Sequence, residues 1–384
     1  MTVVMAQASW WQRLRPVLAV FDGPLLLAVL AVWSIGLVAM YSAGFDFGGR
    51  FTDHARNMVI ALVVMFATAQ VSPQRLMRLA VPLYALGVVL LVATAIFGIT
   101  KKGATRWLHL GIVIQPSEVM KLAMPLMLAW WFQKREGQLR LIDFIVAGLL
   151  LVVPVGLVAK QPDLGTAILV LSGGLYVMFF AGLSWRLIIP VLLAGALGVG
   201  AIVLSGDALC EPDVVWHLLR DYQKQRVCTL LDPTRDPLGK GFHILQGMIA
   251  IGSGGLTGKG FMAGTQTHLE FIPERTTDFI FAAFAEEFGL AGAVLLLLAF
   301  SAVVLRGLLI AAQAPNEFSR LLAGAITLSF FTYVFVNMGM VIGILPVVGV
   351  PLPFISYGGT AMVTLGLALG MLMSISRSRG LMQR

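Results

Sequence analysis

Residues 268–289 contain the carboxylate in this sequence that is best placed to do chemistry. They read HLEFIPERTTDFIFAAFAEEFG, so a polar stretch turns into an apolar helix and Asp278 lies where the two meet. A carboxylate at such a boundary can accept or orient the proton of a hydroxyl group. It can equally complement the dipole of the helix, with Thr276 or Thr277 as the N-cap residue. Both interpretations stay open until the rest of the chain is considered.

The composition excludes an ordinary soluble protein. Hydrophobic residues make up 58% of the 384 residues and charged residues 12%, and the mean hydropathy is +0.89. These values are typical of a polytopic membrane protein. The net charge of +8 is spread in short clusters between apolar runs, which favours anionic lipid head groups or an anionic lipid-linked substrate over nucleic acid.

The sequence predicts an all-α membrane protein with about ten transmembrane helices. A helix needs roughly twenty apolar residues to span a bilayer. The runs that approach this length lie near 22–43, 55–71, 76–98, 118–132, 142–159, 164–182, 186–205, 279–311, 320–345 and 358–375.

Basic residues predict the orientation of these helices. The positive-inside rule places both termini and the connections that contain Arg75, Arg135 and Arg306 in the cytoplasm. The long connection 206–277 then faces outward. Residues 1–21 combine tryptophans with arginines ahead of an apolar run, which predicts a cytoplasmic interfacial segment and an uncleaved signal anchor.

Several basic residues lie on the outer side, against the usual bias, and they need a separate explanation. Snorkelling of long side chains to head groups explains one or two of them. An anionic substrate at the outer leaflet explains a cluster, and we favour that interpretation for Arg106 and Lys121. The full set is Arg56, Lys101, Lys102, Arg106, Lys121 and Lys160.

Charged residues at membrane depth are costly, so each is a functional candidate unless it has a structural partner. Glu118 and Lys121 are three residues apart on one helix face and can neutralise each other, so a structural pair and a substrate contact are both open. Asp163 follows a proline between two helices, where capping of the next helix is the expected role. Glu286 is expected to bind a neighbouring helix.

The outward connection has internal order of its own. Residues 213–230 alternate apolar and basic positions at helical spacing and predict an amphipathic surface helix. Residues 243–267 are apolar and rich in glycine, too broken to span, and predict a segment that re-enters the membrane. Cys210 and Cys228 both fall in this connection. An outer compartment permits a disulfide between them, although two free thiols are an equal alternative.

A second broken element follows near the C-terminus. Residues 337–360, NMGMVIGILPVVGVPLPFISYGGT, combine prolines and glycines between two spans. Such an element often lines a site in membrane proteins. A rigid turn with Ser356 at the start of the last helix is the plain alternative. Asn337 is expected to make a hydrogen bond between helices.

Five of these segments together resemble the SEDS family of bacterial cell-wall polymerases. They are GATRWLHLG with QPSEVMKL, KQPDLGTA, LDPTRDPLGKGFHILQGMIAIGSGGLTGKG, FIPERTTDFIFAAFAEEFG and the proline-rich stretch above, in order from residue 103 to residue 360. The resemblance implies one membrane domain over residues 1–384 with ten spans. It also implies the elongation branch of the family rather than its division branch, because the N-terminal segment is short.

The resemblance further implies an activity and a set of site residues. The activity is that of a glycosyltransferase that polymerises lipid II into glycan strands at the outer face of the bacterial inner membrane. The implied partners are a class B penicillin-binding protein and the elongation proteins MreC and MreD. The essential aspartate of the family falls on Asp278, and its other motif residues fall on Glu118, Lys121, Asp163 and Ser356. Relatives usually have His where this chain has Thr276, so no proton relay is expected there.

The implied reaction displaces undecaprenyl pyrophosphate from an anomeric carbon with inversion. Such a displacement needs a base on the attacking side and charge stabilisation on the leaving side. We expect Asp278 to take or orient the proton of the acceptor hydroxyl, and Arg106 and Lys121, with Arg56 or Lys160, to hold the pyrophosphate. A divalent cation, Mg or Mn, could assist, although no acidic cluster requires one. A lipid II flippase and a non-catalytic scaffold are the alternative functions.

Overall fold

The computed structural model describes residues 21–101, 104–109, 111, 113–137, 139–211, 213–214, 216, 221–235, 239–272 and 274–382. The described elements are, in order, α1 (Gly23–Ala43), α2 (Arg50–Ala69), α3 (Pro73–Phe97), β1 (Ile99–Lys101), β2 (Ala104–His109), β3 (Val113–Ile114), α4 (Pro116–Gln133), α5 (Leu141–Lys160), α6 (Leu164–Phe180), α7 (Trp185–Leu204), α8 (Gly206–Leu209), α9 (Asp221–Leu231), a 3₁₀ turn (Pro233–Arg235), α10 (Lys240–Gly254), α11 (Thr265–His268), α12 (Ile280–Ala312), α13 (Glu317–Val341) and α14 (Gly359–Met382). The predicted interfacial segment 1–21 lies almost entirely outside these residues.

The structure is mainly helical, as the sequence predicts. Seven of the described helices are long and apolar enough to cross a membrane, namely α1, α3, α5, α7, α12, α13 and α14. The other three predicted spans form α2, α4 and α6. Of these, α6 is apolar but only 17 residues long, and α2 and α4 carry the charged residues expected near the site.

Burial is uneven across the helices. The two most buried are α13 and α14, and α13 packs against α12, α6 and α4. By contrast, α7 has no buried residue although it is apolar beyond Arg186. A helix that is apolar on every side but contacts little protein is suited to a lipid environment. The core therefore lies around α13, and α7 lies at its periphery.

A short antiparallel sheet interrupts the helices between α3 and α4. Its strands follow the order β1-β2-β3, with Lys101 paired to Ala104 and His109 paired to Val113. No strand was predicted between the spans 76–98 and 118–132, because each strand is only two to six residues long. Its central strand carries Arg106, which brings that side chain over the starts of α4 and α6.

The long connection 206–277 contains helices rather than an extended loop. The predicted amphipathic helix 213–230 corresponds to α9, which begins at Asp221, and residues 217–220 lie outside the described part. The sulfur atoms of Cys210 and Cys228 are 2.00 Å apart and form a disulfide. The predicted re-entrant segment contains α10, which packs against α12. The disulfide thus ties the end of α7 to the helices of this connection.

The helix α12 is interrupted at Gly289, which has a φ of 63°. The glycine-rich stretch 255–260 hydrogen-bonds to the backbone on both sides of the break. Lys259 N and Gly260 N donate to the carbonyl oxygens of Glu286 and Glu287, at 3.1 and 3.0 Å. The amides of residues 290 and 291 donate to carbonyl oxygens of residues 255 and 256, at 2.9 and 3.0 Å. Irregular backbone at membrane depth is thereby satisfied by protein.

Glu286 binds the short neighbouring helix α11, as expected, and also a lysine of the stretch that precedes it. Its carboxylate accepts hydrogen bonds from Lys259 Nζ at 2.7 Å and from the backbone amides of Gln266 and Thr267 at 2.8 and 3.1 Å. Glu286 is completely buried. It therefore fixes the stretch 259–267 against the first part of α12 by charge-assisted hydrogen bonds.

The contact between α10 and α12 predicts opposite effects for two nearby glycines. A Cβ atom at Gly254 would lie 2.2 Å from the carbonyl oxygen of Ala285, whereas a Cβ atom at Gly252 would meet nothing within 4 Å. We expect Gly254→Ala to lower the free energy of unfolding by about 1–3 kcal/mol through overpacking. Gly252→Ala should leave it unchanged or raise it by up to about 1 kcal/mol through helix propensity. Thermal unfolding in detergent measures both, and equal effects would contradict the packing described.

Candidate active site

The turn that carries Asp278 is not a helix cap. The helix α12 begins at Ile280, its N-cap residue is Phe279, and no side chain caps it. The capping interpretation with Thr276 or Thr277 is therefore wrong. Thr277 Oγ1 instead donates to the Glu274 carboxylate at 2.7 Å. Asp278 lies in the turn before the helix, one residue ahead of its N-cap position.

Three consecutive carbonyl oxygens of this turn, those of residues 276–278, are each bound by a group from elsewhere in the chain. Tyr357 N donates to the first at 2.8 Å and Ser356 Oγ to the second at 2.7 Å. Asn337 Nδ2 donates to the third at 3.0 Å. These three bonds fix the backbone on which the Asp278 side chain is mounted, and we call them the carbonyl cradle.

The donors of the carbonyl cradle are themselves held in place. Ser356 Oγ accepts a hydrogen bond from Leu352 N at 2.8 Å, and Asn337 Nδ2 also donates to the Val350 carbonyl at 2.7 Å. Asn337 is completely buried and Ser356 is 2% exposed. Asn337 thus joins α13 to two irregular segments, where the sequence analysis expected a bond between helices. A buried network with few free groups holds a single geometry.

Asp278 faces a polar cavity of about 310 Å³, which we call the chamber. The chamber lies where α4, α6 and α14 begin, beside the turn before α12 and below strand β2. It is lined by Arg106, Gln115, Glu118, Lys121, Asp163, Thr166, Leu169, Glu274, Thr277, Asp278, Gly349, Val350, Pro351, Tyr357, Gly358, Thr360 and Ala361. Five of the residues predicted from the sequence therefore meet in one cavity, although they span 173 positions from Arg106 to Asp278.

Glu118 and Lys121 form a tight pair in the wall of the chamber. Lys121 Nζ lies 2.6 Å from Glu118 Oε1, and Thr364 Oγ1 donates to the other carboxylate oxygen at 3.1 Å. The ammonium group also lies 5.2 Å from the centre of the Tyr333 ring. Lys121 is 8% exposed. The i,i+3 spacing thus produces the predicted pair, and both residues line the same cavity.

Arg106 and Asp163 also line the chamber. Asp163 is the N-cap of α6, as predicted, and accepts from Thr166 N at 3.3 Å and from Gln115 Nε2 at 3.0 Å. Arg106 donates to the Pro162 carbonyl at 2.8 Å, but its nearest nitrogen is 3.7 Å from the Asp163 carboxylate. Its buried Nε has no hydrogen-bond partner within the described residues. The Arg106 guanidinium therefore retains donors that a ligand can use.

The chamber is acidic in formal charge. Its described lining contains two basic side chains, Arg106 and Lys121, and the four carboxylates of Glu118, Asp163, Glu274 and Asp278. Among the described residues, no group of three or more His, Cys, Asp or Glu side chains is arranged to hold a metal ion. Asp278 therefore lies in a site in which Arg106 and Lys121 already have carboxylate neighbours. An anionic ligand would have to compete with those carboxylates for the two cations.

The other predicted binding residues lie elsewhere. Arg56 is exposed on α2 and pairs with Asp53 at 2.9 Å, and Lys160 is exposed at the end of α5. Neither lines the chamber. Ser356 lies behind it and contacts only backbone groups through its hydroxyl. Its position indicates a supporting role for the Asp278 turn.

Sequence reasoning missed two residues that face Asp278 or the chamber opening. Gly349 has a φ of 72°, and a Cβ atom there would lie 3.4 Å from Asp278 Oδ2. The glycine therefore leaves room beside the carboxylate and permits the left-handed turn. Tyr357 lines the chamber. The only signal for either residue was the density of glycine and proline in residues 337–360.

A family model described as cell cycle protein, for FtsW, RodA and SpoVE, matches residues 23–380 of this chain. The chain is 47% identical over 377 residues to the peptidoglycan glycosyltransferase MrdB of Escherichia coli K12. That match covers 98% of this chain and 97% of MrdB. The likeness therefore extends over nearly the whole length of both proteins.

Two solved structures have a similar fold. The crystal structure of the rod shape-determining protein RodA of Thermus thermophilus matches with a TM-score of 0.69 and 29% identity, over 94% of this chain and 97% of that one. A chain from a peptidoglycan synthase complex, described as coordinating polymerization and crosslinking, matches with a TM-score of 0.77 and 34% identity. It covers 94% of this chain and 98% of that one.

The carbonyl cradle predicts a specific effect of Ser356→Ala. Loss of the hydroxyl removes its bonds to the Thr277 carbonyl and the Leu352 amide, each worth about 1 kcal/mol. We expect amide hydrogen exchange in residues 350–357 to become about fivefold to tenfold faster. The matched control is Ser319→Ala, since the buried Ser319 hydroxyl has no hydrogen-bond partner within the described residues. Unchanged exchange in the Ser356 variant would contradict the cradle.

Proposed function

The chain belongs to the FtsW, RodA and SpoVE family, and from this membership and the chamber we propose that it polymerises lipid II into peptidoglycan glycan strands. It is a peptidoglycan glycosyltransferase of the inner membrane, as its relative MrdB is named. The observation that carries the proposal is the Asp278 carboxylate, mounted on a fixed turn in a polar chamber that also contains Arg106 and Lys121.

The chamber residues divide into two roles in this reaction. Asp278 orients the acceptor hydroxyl and takes its proton as the new glycosidic bond forms with inversion at the donor carbon. Arg106 binds the departing pyrophosphate with the donors that Asp163 and Pro162 leave free. Lys121 adds positive charge to the same chamber. The Glu118 carboxylate balances that charge while no substrate is bound. Since the attacking group is a sugar hydroxyl and not water, a second catalytic carboxylate is not required.

The distribution of charge supports an extracytoplasmic chamber. The chamber lies at the ends where α4, α6 and α14 begin. Basic residues of the opposite ends include Arg75, Arg135, Arg140, Arg306 and Arg320, which by the positive-inside rule belong in the cytoplasm. We therefore place ten spans across the membrane, with both termini cytoplasmic and residues 206–277 outside, in one domain over residues 1–384.

The partner proposed for this enzyme is a class B penicillin-binding protein that crosslinks the new strands. A similar chain belongs to a complex described as coordinating polymerization and crosslinking. MreC and MreD are proposed as further members of the same elongation assembly. A divalent cation is left as an optional aid at the pyrophosphate, since the resting chamber already balances its two basic groups with carboxylates.

If Asp278 is the base, replacing it should abolish polymer synthesis without unfolding the protein. Purified wild-type protein with lipid II should make glycan strands on a gel, and Asp278→Asn should reduce the rate at least a hundredfold because the base is removed. Asp53→Asn is the matched control, since Asp53 is half-exposed, does not line the chamber and forms its ion pair within the described residues with Arg56. Normal polymerisation by the Asp278 variant would contradict the assignment of Asp278 as the base. Lipid II crossing liposomes with no polymer formed would favour the flippase instead.

The Glu118–Lys121 pair can be tested for a role beyond stability. Lys121→Met alone leaves the Glu118 carboxylate in a mostly buried site without its cation, and we expect it to lose about 3 kcal/mol of stability or more. Adding Glu118→Gln should recover most of that loss. The polymerisation rate should remain low in the double variant, because the charge near the pyrophosphate is gone. Recovery of both stability and rate would assign the pair to structure alone.

A further inference from the structure

A ladder of alternating rings and guanidinium groups borders the chamber on the side of the connection between α1 and α2. Arg275 Cζ lies 5.3 Å from the centre of the Phe45 ring and 5.1 Å from that of Phe47. Arg50 Cζ lies 4.6 Å from the centre of Phe47 and 4.5 Å from that of Tyr357. Phe47 is therefore shared by both arginines, and Tyr357 connects the ladder to the chamber wall.

The two arginines of the ladder have different surroundings. Arg275 is 2% exposed, forms an ion pair with Asp46 and donates its Nε to the Ala43 carbonyl at 3.0 Å. Burial raises the pKa of Asp46, but the hydrogen bond and charge of Arg275 together with a backbone hydrogen bond and one from Glu270 outweigh burial and hold that pKa below its usual value. The charge of Arg275 is therefore already neutralised, and this residue anchors the connection in place.

Arg50 has no such counterpart in the described part of the chain. Its guanidinium is half-buried and stacks on the rings of Phe47 and Tyr357. Stacking uses the faces of a guanidinium but leaves the N–H donors in its plane, and the fork of those donors matches a carboxylate. Two rings fix the orientation of the fork, so little side-chain entropy remains to be lost on binding. Arg50 is thus preorganised for a planar anion.

The position of Arg50 indicates which anion it meets. It is the first residue of α2, next to the connection 44–49, in which Phe45 is 44% exposed. The chamber beside it is acidic and offers Arg106 and Lys121 to the pyrophosphate. In lipid II the stem peptide extends from the sugar on the side away from the lipid and carries several carboxylates. A carboxylate there would avoid the acidic chamber and reach an arginine outside it.

We propose that Arg50, held between Phe47 and Tyr357, binds a stem-peptide carboxylate of the lipid-linked substrate and sets specificity for carboxylated peptides. This inference rests on the proposed polymerase function and adds a substrate contact outside the chamber. Because the contact is distant from the reacting carbon, it contributes to substrate binding more than to the chemical step. An Arg–carboxylate bond of this type changes KM by about tenfold.

The test compares two substrates and one charge-removing variant. The substrates are lipid II with free stem-peptide carboxylates and lipid II in which those carboxylates are amidated. We expect wild-type protein to show a KM about tenfold lower for the carboxylated substrate. Arg50→Gln should raise KM for the carboxylated substrate to that of the amidated one and leave kcat unchanged. Arg50→Lys should give an intermediate KM, since it keeps the charge but not the fork.

The control is Arg320→Gln, because Arg320 is exposed, pairs with Glu317 and lies at the opposite end of the molecule. It should leave both KM values at the wild-type level. If Arg50→Gln raises KM equally for both substrates, Arg50 serves only to pack the connection, and the proposal is overturned. Wild-type protein that does not distinguish the substrates would also overturn it, even if the Arg50 variant fails to fold. Absence of any polymer from wild-type protein would instead contradict the proposed function.

Discussion

The structure depends on one constraint, that backbone polar groups at membrane depth must find partners within the protein. Three irregular segments meet around α13, namely the turn 276–278, the break at Gly289 and the proline-rich stretch 346–357. Each is bonded by groups from elsewhere in the chain: Ser356 and Asn337 bind carbonyl groups of the turn, and the stretch 255–260 binds the broken helix. Protein groups thus satisfy the irregular backbone in each place.

The same constraint explains how the backbone under the Asp278 side chain is held in place. Asp278 lies in neither a helix nor a strand. Its backbone carbonyl and those of the two preceding residues nevertheless all accept hydrogen bonds. Gly349 leaves room beside the carboxylate. A site built on irregular backbone gains its rigidity from such supporting bonds.

The chamber also shows why the basic residues predicted on the outer side did not by themselves identify the groups that bind an anion. The basic residues Arg106 and Lys121 do line it, but they are accompanied by four carboxylates. Arg56 and Lys160 are equally basic and lie on the surface. Whether a cation is available to a ligand depends on its neighbours in space, and a tight pair such as Glu118 with Lys121 balances its own charge. Arg50 was not predicted, because one of its two ring partners, Tyr357, is distant in sequence and meets it only in the folded chain.

Composition and local spacing determined the helical membrane class, the pairing of Glu118 with Lys121 and the capping of α6 by Asp163, since these depend on residues within a few positions of each other. The motifs that carry the family resemblance identified Asp278. Tertiary structure alone decided that Asp278 is not a helix cap, that Ser356 and Asn337 support its turn, and that Glu286 secures the outward connection. Those contacts join residues 19 to 79 positions apart, and a hydrogen bond over such a separation exists only after the chain has folded.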